Sequence, residues 1–184
     1  GLARSWIPEV PTLLQPASAG YYGEAEELSR TRGFPLLRVL VLRNTHVSAI
    51  SQEIEDQWRR LGFPSERITR TRSGVDTTRF RPGPSQLDAN LPPRPRLVFT
   101  GRLHPQKNLG VLLHAWATVC ATTPGSLLLA GDGPEELSLR QLCRELEITD
   151  RVGFLGHLDD PSELLRACDL FVLPSVAEGM SNSL

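Results

Sequence analysis

Lysine is almost missing from this sequence of 184 residues: nineteen of its twenty basic residues are arginine, and Lys107 is the exception. Long apolar runs are missing too. A membrane-spanning helix needs roughly 18 such residues, and the richest stretch here, Leu36 to Leu42, is broken by Arg38 and closed by Arg43. Nor is charge of one sign in excess. The formal net charge of -1 removes the simplest case for a nucleic-acid partner. Seven arginines do crowd the segment from Arg59 to Arg81, but Glu66 and Asp76 dilute them and only Phe63 and Phe80 supply aromatic rings. That composition suits a solvated inter-domain face and is compatible with peripheral association at an anionic membrane surface.

Other absences exclude specific chemistries. The three cysteines, Cys120, Cys143 and Cys168, form no CxxC pair and leave an odd count. Each falls at an apolar position of a helix-like pattern, so buried free thiols in a reducing, cytoplasmic setting are expected. Four scattered histidines show no ligand spacing, and no metal site is expected. Neither GxGxxG nor GxxxxGK[ST] occurs, which disfavours a dinucleotide dehydrogenase and a P-loop enzyme. Gly1 to Gly20 lacks a charged start followed by an apolar core, so no signal peptide is read there.

What is present is clearest in the second half. Four short apolar runs recur: Leu97 to Phe99, Leu127 to Ala130, Val152 to Leu155 and Leu170 to Leu173. They lack polar alternation, as strands buried on both faces of a parallel sheet should. Helical spacing separates them, through Leu109, Leu112, Leu113, Trp116 and Cys120, then Leu139, Leu142, Cys143 and Leu146, then Leu164, Leu165 and Cys168. Alternating strands and helices predict a doubly wound, Rossmann-like α/β domain over 96–184. In the first half, Thr12 to Gln15 and His46 to Ile50 read as strands, and Ser51 as the N-cap of a helix striped by Ile54, Trp58 and Leu61. Five prolines between Arg81 and Pro95 suggest an inter-domain linker. Residues 1–80 then read as the tail of a larger, partial second α/β domain.

Open parallel sheets bind ligands beyond the carboxyl ends of their strands. There the sequence places Gly101-Arg102-Leu103-His104-Pro105-Gln106-Lys107-Asn108, Gly131-Asp132-Gly133-Pro134, Gly156-His157-Leu158, and Pro174 to Leu184 containing Glu178-Gly179-Met180-Ser181-Asn182. Glycines permit close backbone approach, Arg102 and Lys107 can meet one anion, and Glu178 can accept from two sugar hydroxyls. Taken singly, each segment is also an ordinary turn or solvated loop.

In this order the motifs resemble the donor domain of retaining GT-B glycosyltransferases of family 4. The likeness rests on Thr100 to Leu103, Pro105, Lys107-Asn108, Gly131 to Pro134, Asp150-Arg151-Val152, Phe154-Leu155-Gly156, Asp169, Leu173-Pro174-Ser175 and Glu178-Gly179. Ser73 to Asp76 with Phe80-Arg81-Pro82 is similar to that family's inter-domain crossover, although Ser73 stands where asparagine is usual. The resemblance spans roughly 46 to 184. It implies an enzyme of glycan biosynthesis, a hexosyltransferase using a nucleotide-diphosphate sugar and a glycan, lipid or small-molecule acceptor, with retention and without a metal or other cofactor. Arg102, Lys107 and Glu178 would be catalytic. Gly101, Gly131, Asp132, Gly133, Gly156, His157, Leu158, Gly179, Met180, Ser181 and Asn182 would hold the donor, with Gly156 to Leu158 beside the base. The second carboxylate of the E-x7-E motif would fall at position 186, and the chain by itself is not expected to be an active catalyst. The alternative is a non-catalytic nucleotide-binding or regulatory module of the same fold.

Overall fold

Strands Thr12–Leu14 (β1), Thr45–Ala49 (β2) and Ile68–Arg70 (β3) pair in parallel in the order β1-β2-β3. They belong to the first of two compact units in a computed structural model that describes residues 11–17, 19, 23–33 and 45–178. The apolar run from Leu36 to Leu42 lies outside them. Among the described residues, helices Glu24–Arg30 (α1) and Gln52–Arg60 (α2) also belong to this unit. Ser51 caps α2, its Oγ accepting from the Ile54 amide at 3.3 Å. The expected stripe turns inward: Ile54 and Trp58 are buried with Val47 and Ala49, and Trp58 meets Phe63 edge to face at 4.8 Å. No helix among the described residues is long and apolar enough to cross a membrane.

The second unit runs from Val75 to Val176, while Ala177 and Glu178 group with the first. Its parallel sheet joins Arg96–Thr100 (β4), Ser126–Ala130 (β5), Val152–Gly156 (β6) and Leu170–Phe171 (β7) in the order β6-β5-β4-β7. Successive residues of a strand face opposite sides of the sheet. Phe99, Leu127 and Leu129 accordingly pack with Leu109–Cys120 (α3) and Glu136–Glu145 (α4), through Leu113, Trp116, Leu139 and Cys143. Val98, Leu128 and Ala130 pack on the other side with Leu164 of Ser162–Ala167 (α5). Both faces are covered, as a doubly wound fold requires. Burial differs from the expectation in two places. Only the central strands β4 and β5 are largely buried; β6 and β7 lie at the sheet's margins and are mostly half-buried, with Leu170 exposed. Of the thiols only Cys143 is buried, while Cys120 and Cys168 are half-buried at the ends of α3 and α5. Burial still pushes the Cys168 thiol up to about 11.

The proline-rich segment from Arg81 to Pro95 lies within the second unit, and it and Arg79 just before it are bonded to α5 and the loop that leads into it. Arg79 Nε donates to Asp160 Oδ2 at 2.8 Å, Ser85 Oγ to the Glu163 carbonyl at 2.8 Å and Arg166 Nη1 to the Arg79 carbonyl at 3.0 Å. Arg79, then the Ser162 amide, hold the Asp160 carboxyl well below the usual carboxylate range. Arg96, at the start of β4, is buried and spends its whole guanidinium on this segment and on α5. Its Nε donates to the Pro92 carbonyl, Nη1 to Asp88 Oδ1 and to the Ala167 carbonyl at 3.0 Å, and Nη2 to the Asp88 and Leu91 carbonyls at 2.9 and 3.2 Å. That accounts for all five N–H groups.

Arg96→Met should therefore cost about 3 kcal/mol by stranding the carbonyls that the guanidinium serves. Arg96→Lys should recover only part of it, because an ammonium cannot reproduce the planar fork. Urea denaturation of the three proteins measures both differences.

Candidate functional site

The loops that follow β4, β5 and β6 are laced together by their own main chains. Gly101 N donates to the Ala130 carbonyl at 2.9 Å, Gly131 N to the Gly156 carbonyl at 2.7 Å and Leu103 N to the Asp132 carbonyl at 2.7 Å. Glu135 N returns a bond to the Leu103 carbonyl at 3.1 Å. This lacing explains the glycines. Gly131 adopts φ +144°, and a methyl group placed on it would overlap the Gly101 carbonyl; at Gly133 it would overlap the Leu103 carbonyl. The close backbone approach expected from the sequence is thus made by the protein's own backbone. Gly156 differs. Its φ is +70°, yet a methyl group there would meet nothing within 4 Å, so only the left-handed conformation asks for glycine.

The lacing leaves a cleft of about 340 Å³ above the strand ends. Thr100, Gly101, Arg102, Ala130, Gly131, Asp132, His157, Leu158 and Pro161 form its wall. Six of the residues singled out in the sequence are among them: Gly101, Arg102, Gly131, Asp132, His157 and Leu158. Gly133 and Gly156 sit beside it in the lacing. Arg102, Asp132 and His157 are exposed, and His157 Nε2 lies 3.4 Å from Asp159 Oδ1. Such a wall offers a guanidinium to an anion, a carboxylate and an imidazole to polar groups, and the apolar flank of Leu158 and Pro161 to a flat ring. Thr100 opens the Thr100 to Leu103 motif, while Ala130 and Pro161 had no sequence signal beyond their place at the ends of elements. Among the described residues no three His, Cys, Asp or Glu gather as ligands for a metal ion.

Lys107 is set on a neighbouring turn and does not line the cleft. Pro105–Lys107 form one turn of 3-10 helix, capped by His104, whose Nδ1 accepts from the Gln106 amide at 3.4 Å. Asn108 then takes a left-handed conformation, φ 54°, before α3. The sheet order reverses between β4 and β7, so this turn and the segment after β7 flank the topological switch point, where doubly wound sheets bind ligands. The two are joined: Val176 N donates to the Gln106 carbonyl at 3.0 Å and Asn108 Nδ2 to the Pro174 carbonyl at 3.4 Å. Between them Ser175 Oγ is buried without a hydrogen-bond partner, a situation that costs about 1–3 kcal/mol. Glu178 closes the described segment within the first unit, and Gly179, Met180, Ser181 and Asn182 lie outside the described residues.

Residues 94–184 match the family described as Glycosyl transferases group 1. The D-inositol 3-phosphate glycosyltransferase 2 of Catenulispora acidiphila is 34 % identical over 148 residues, which are 72 % of this chain and 35 % of that protein. The lipopolysaccharide core biosynthesis glycosyltransferase LpsE of Rhizobium meliloti is 29 % identical over 97 % of this chain and 50 % of its own length. The chain thus spans between about a third and a half of these relatives. Among solved structures, Anabaena HepE in complex with UDP-glucose superposes with a TM-score of 0.77 at 25 % identity, covering 95 % of this chain and 50 % of that one. Sucrose-phosphate synthase of Thermosynechococcus elongatus gives 0.73 at 24 %, over 92 % and 46 %. The fold is that of the GT-B glycosyltransferases.

The two kinds of glycine should respond differently to alanine. Gly131→Ala must part the loops after β4 and β5 and should cost on the order of 3 kcal/mol. Gly156→Ala meets only backbone strain and should cost about 1–2 kcal/mol. Thermal unfolding of both variants tests the order.

Proposed function

The chain belongs, through residues 94–184, to the glycosyl transferases group 1 family, and from that premise we propose that the whole protein moves a sugar from a nucleoside-diphosphate sugar to an acceptor hydroxyl. The observation that carries the reading is the cleft at the ends of β4, β5 and β6, which gathers Gly101-Arg102, Gly131-Asp132 and His157-Leu158 on one wall. The complex of the similar HepE with UDP-glucose supports a nucleotide-sugar donor. In this reading the base lies against Gly156 to Leu158, and the diphosphate lies toward Arg102 and the Lys107 turn.

Breaking the bond between the sugar's anomeric carbon and the diphosphate builds negative charge on the phosphate oxygens. A guanidinium and an ammonium fixed beside those oxygens lower the barrier, because they bind the leaving group more strongly as its charge grows. They do the work that a divalent cation does in other transferases. Glu178 is the carboxylate for the donor sugar's hydroxyls, with Gly179, Met180, Ser181 and Asn182 presenting backbone and small polar groups to the sugar and phosphate. We read the product as retaining the donor's anomeric configuration and the transferred group as a hexose. The acceptor is a glycan, lipid or small molecule; the inositol phosphate and lipopolysaccharide named for the relatives favour a hydroxyl-rich one. A cytoplasmic protein, peripheral to the inner face of the membrane when its acceptor is lipid-linked, fits this reading.

Arg102→Ala and Lys107→Ala should each weaken UDP or GDP binding by roughly tenfold or more, since each removes a charge-assisted contact. Titration calorimetry decides it, and unchanged affinity in both variants would sink the anion site. Transfer by the whole protein should also persist in excess chelator; strict loss of turnover there counts against a side-chain-only leaving-group clamp.

A further inference from the structure

Buried hydroxyls in a settled structure find partners, with protein or with ordered water. Among the described residues only two buried side-chain atoms lack one, Gln57 Oε1 in α2 and Ser175 Oγ. Ser175 stands at the switch point between β4 and β7, where this fold admits ligands. Its neighbours on both sides are fixed, Pro174 by Asn108 and Val176 by the Gln106 carbonyl, so its hydroxyl is held out of solvent by bonds to the turn that carries Lys107. A shift of that turn moves Pro174 and Val176 with it. It therefore changes what the hydroxyl can reach.

Resting on the nucleotide-sugar reading above, we infer that Ser175 is a positioning residue for the donor complex. Its hydroxyl is unpaired in the ligand-free protein and gains a hydrogen bond when a nucleoside diphosphate draws the Pro105–Lys107 turn and the Pro174–Val176 segment into their bound arrangement. The free state carries the cost of a desolvated hydroxyl and the bound state does not, so the serine favours the bound state by that difference. Ser175 need not touch the ligand. It acts through the segment that leads, two residues on, to Glu178's neighbour Ala177.

This gives Ser175→Ala two effects of opposite sign. Without ligand the variant should melt about 2–4 °C higher, since deleting an unpaired buried hydroxyl relieves the free state. Its affinity for UDP or GDP should nonetheless fall about fivefold to tenfold, and Ser175→Thr, which keeps the hydroxyl, should restore most of the affinity. A merely structural serine would move melting temperature and affinity in the same direction. Thermal unfolding and titration calorimetry on the whole protein, with UDP and GDP as probes, read both. Equal affinity in Ser175→Ala and the unaltered chain overturns the inference while leaving the proposed function standing, as does a lower melting temperature of the ligand-free variant. If the unaltered whole protein binds neither diphosphate, the nucleotide-sugar reading fails and this inference with it.

Discussion

A single buried guanidinium holds the amino end of the second sheet together. Arg96 opens β4, the strand between β5 and β7, and its five donors reach the turn at Asp88–Leu91, Pro92 and the last carbonyl of α5. Its backbone takes part as well: its amide donates to Asp169 Oδ2 at 2.7 Å, and its carbonyl accepts from the Asp169 amide at 2.9 Å, where the chain enters β7. Arg94 clasps the same carboxylate from outside. The point at which the strand order reverses is therefore pinned from below by one charged side chain with no donor unspent.

At those carboxyl ends the construction is of another kind. Main-chain bonds between loops organise the cleft, and glycine is required where one loop's carbonyl lies where another's methyl would be. A rigid wall made of backbone leaves the side chains of Arg102, Asp132 and His157 without structural duty, so they can differ without loss of the cleft. Arg151 shows the contrast. It sits in a motif typical of the family, yet its guanidinium serves the carbonyls of Gly125 and Thr123 at 2.7 and 2.9 Å, fastening the entry to β5.

Most of the second unit was legible in advance, because strands buried between two helical layers write themselves as uninterrupted apolar runs, and α3 and α4 as stripes. The same logic explains what was not. β3 has one buried residue, Ile68, and α1 only Ala25, so neither leaves a periodic trace. Arg81 to Pro95 has the composition of a free linker, because its attachments are ion pairs and hydrogen bonds made by Ser85 and Asp88 to residues elsewhere in the chain. A lone arginine at the head of an apolar run gave no hint that it is buried. The cleft was half readable: glycine at three successive strand ends marked the loops that gather around it, but the reason for Gly131, contact with the loop after β4, lies in the pairing and not in the sequence.

The joint at Arg96 also has a bearing on acid and base. A guanidinium keeps its proton at any pH compatible with folding. Asp88 and Asp169 are both held below the ordinary carboxylate range, the first chiefly by the Arg96 side chain and the second chiefly by its amide. Carboxyl groups lowered in this way support the fold at all pH values above their unfolded range and cease to do so only as acid carries the solution down through their folded values. From weakly acidic solution up to the alkaline range in which the raised Cys168 thiol ionises, the charge at the amino end of the sheet thus stays constant, so the joint is insensitive to pH across the whole neutral range.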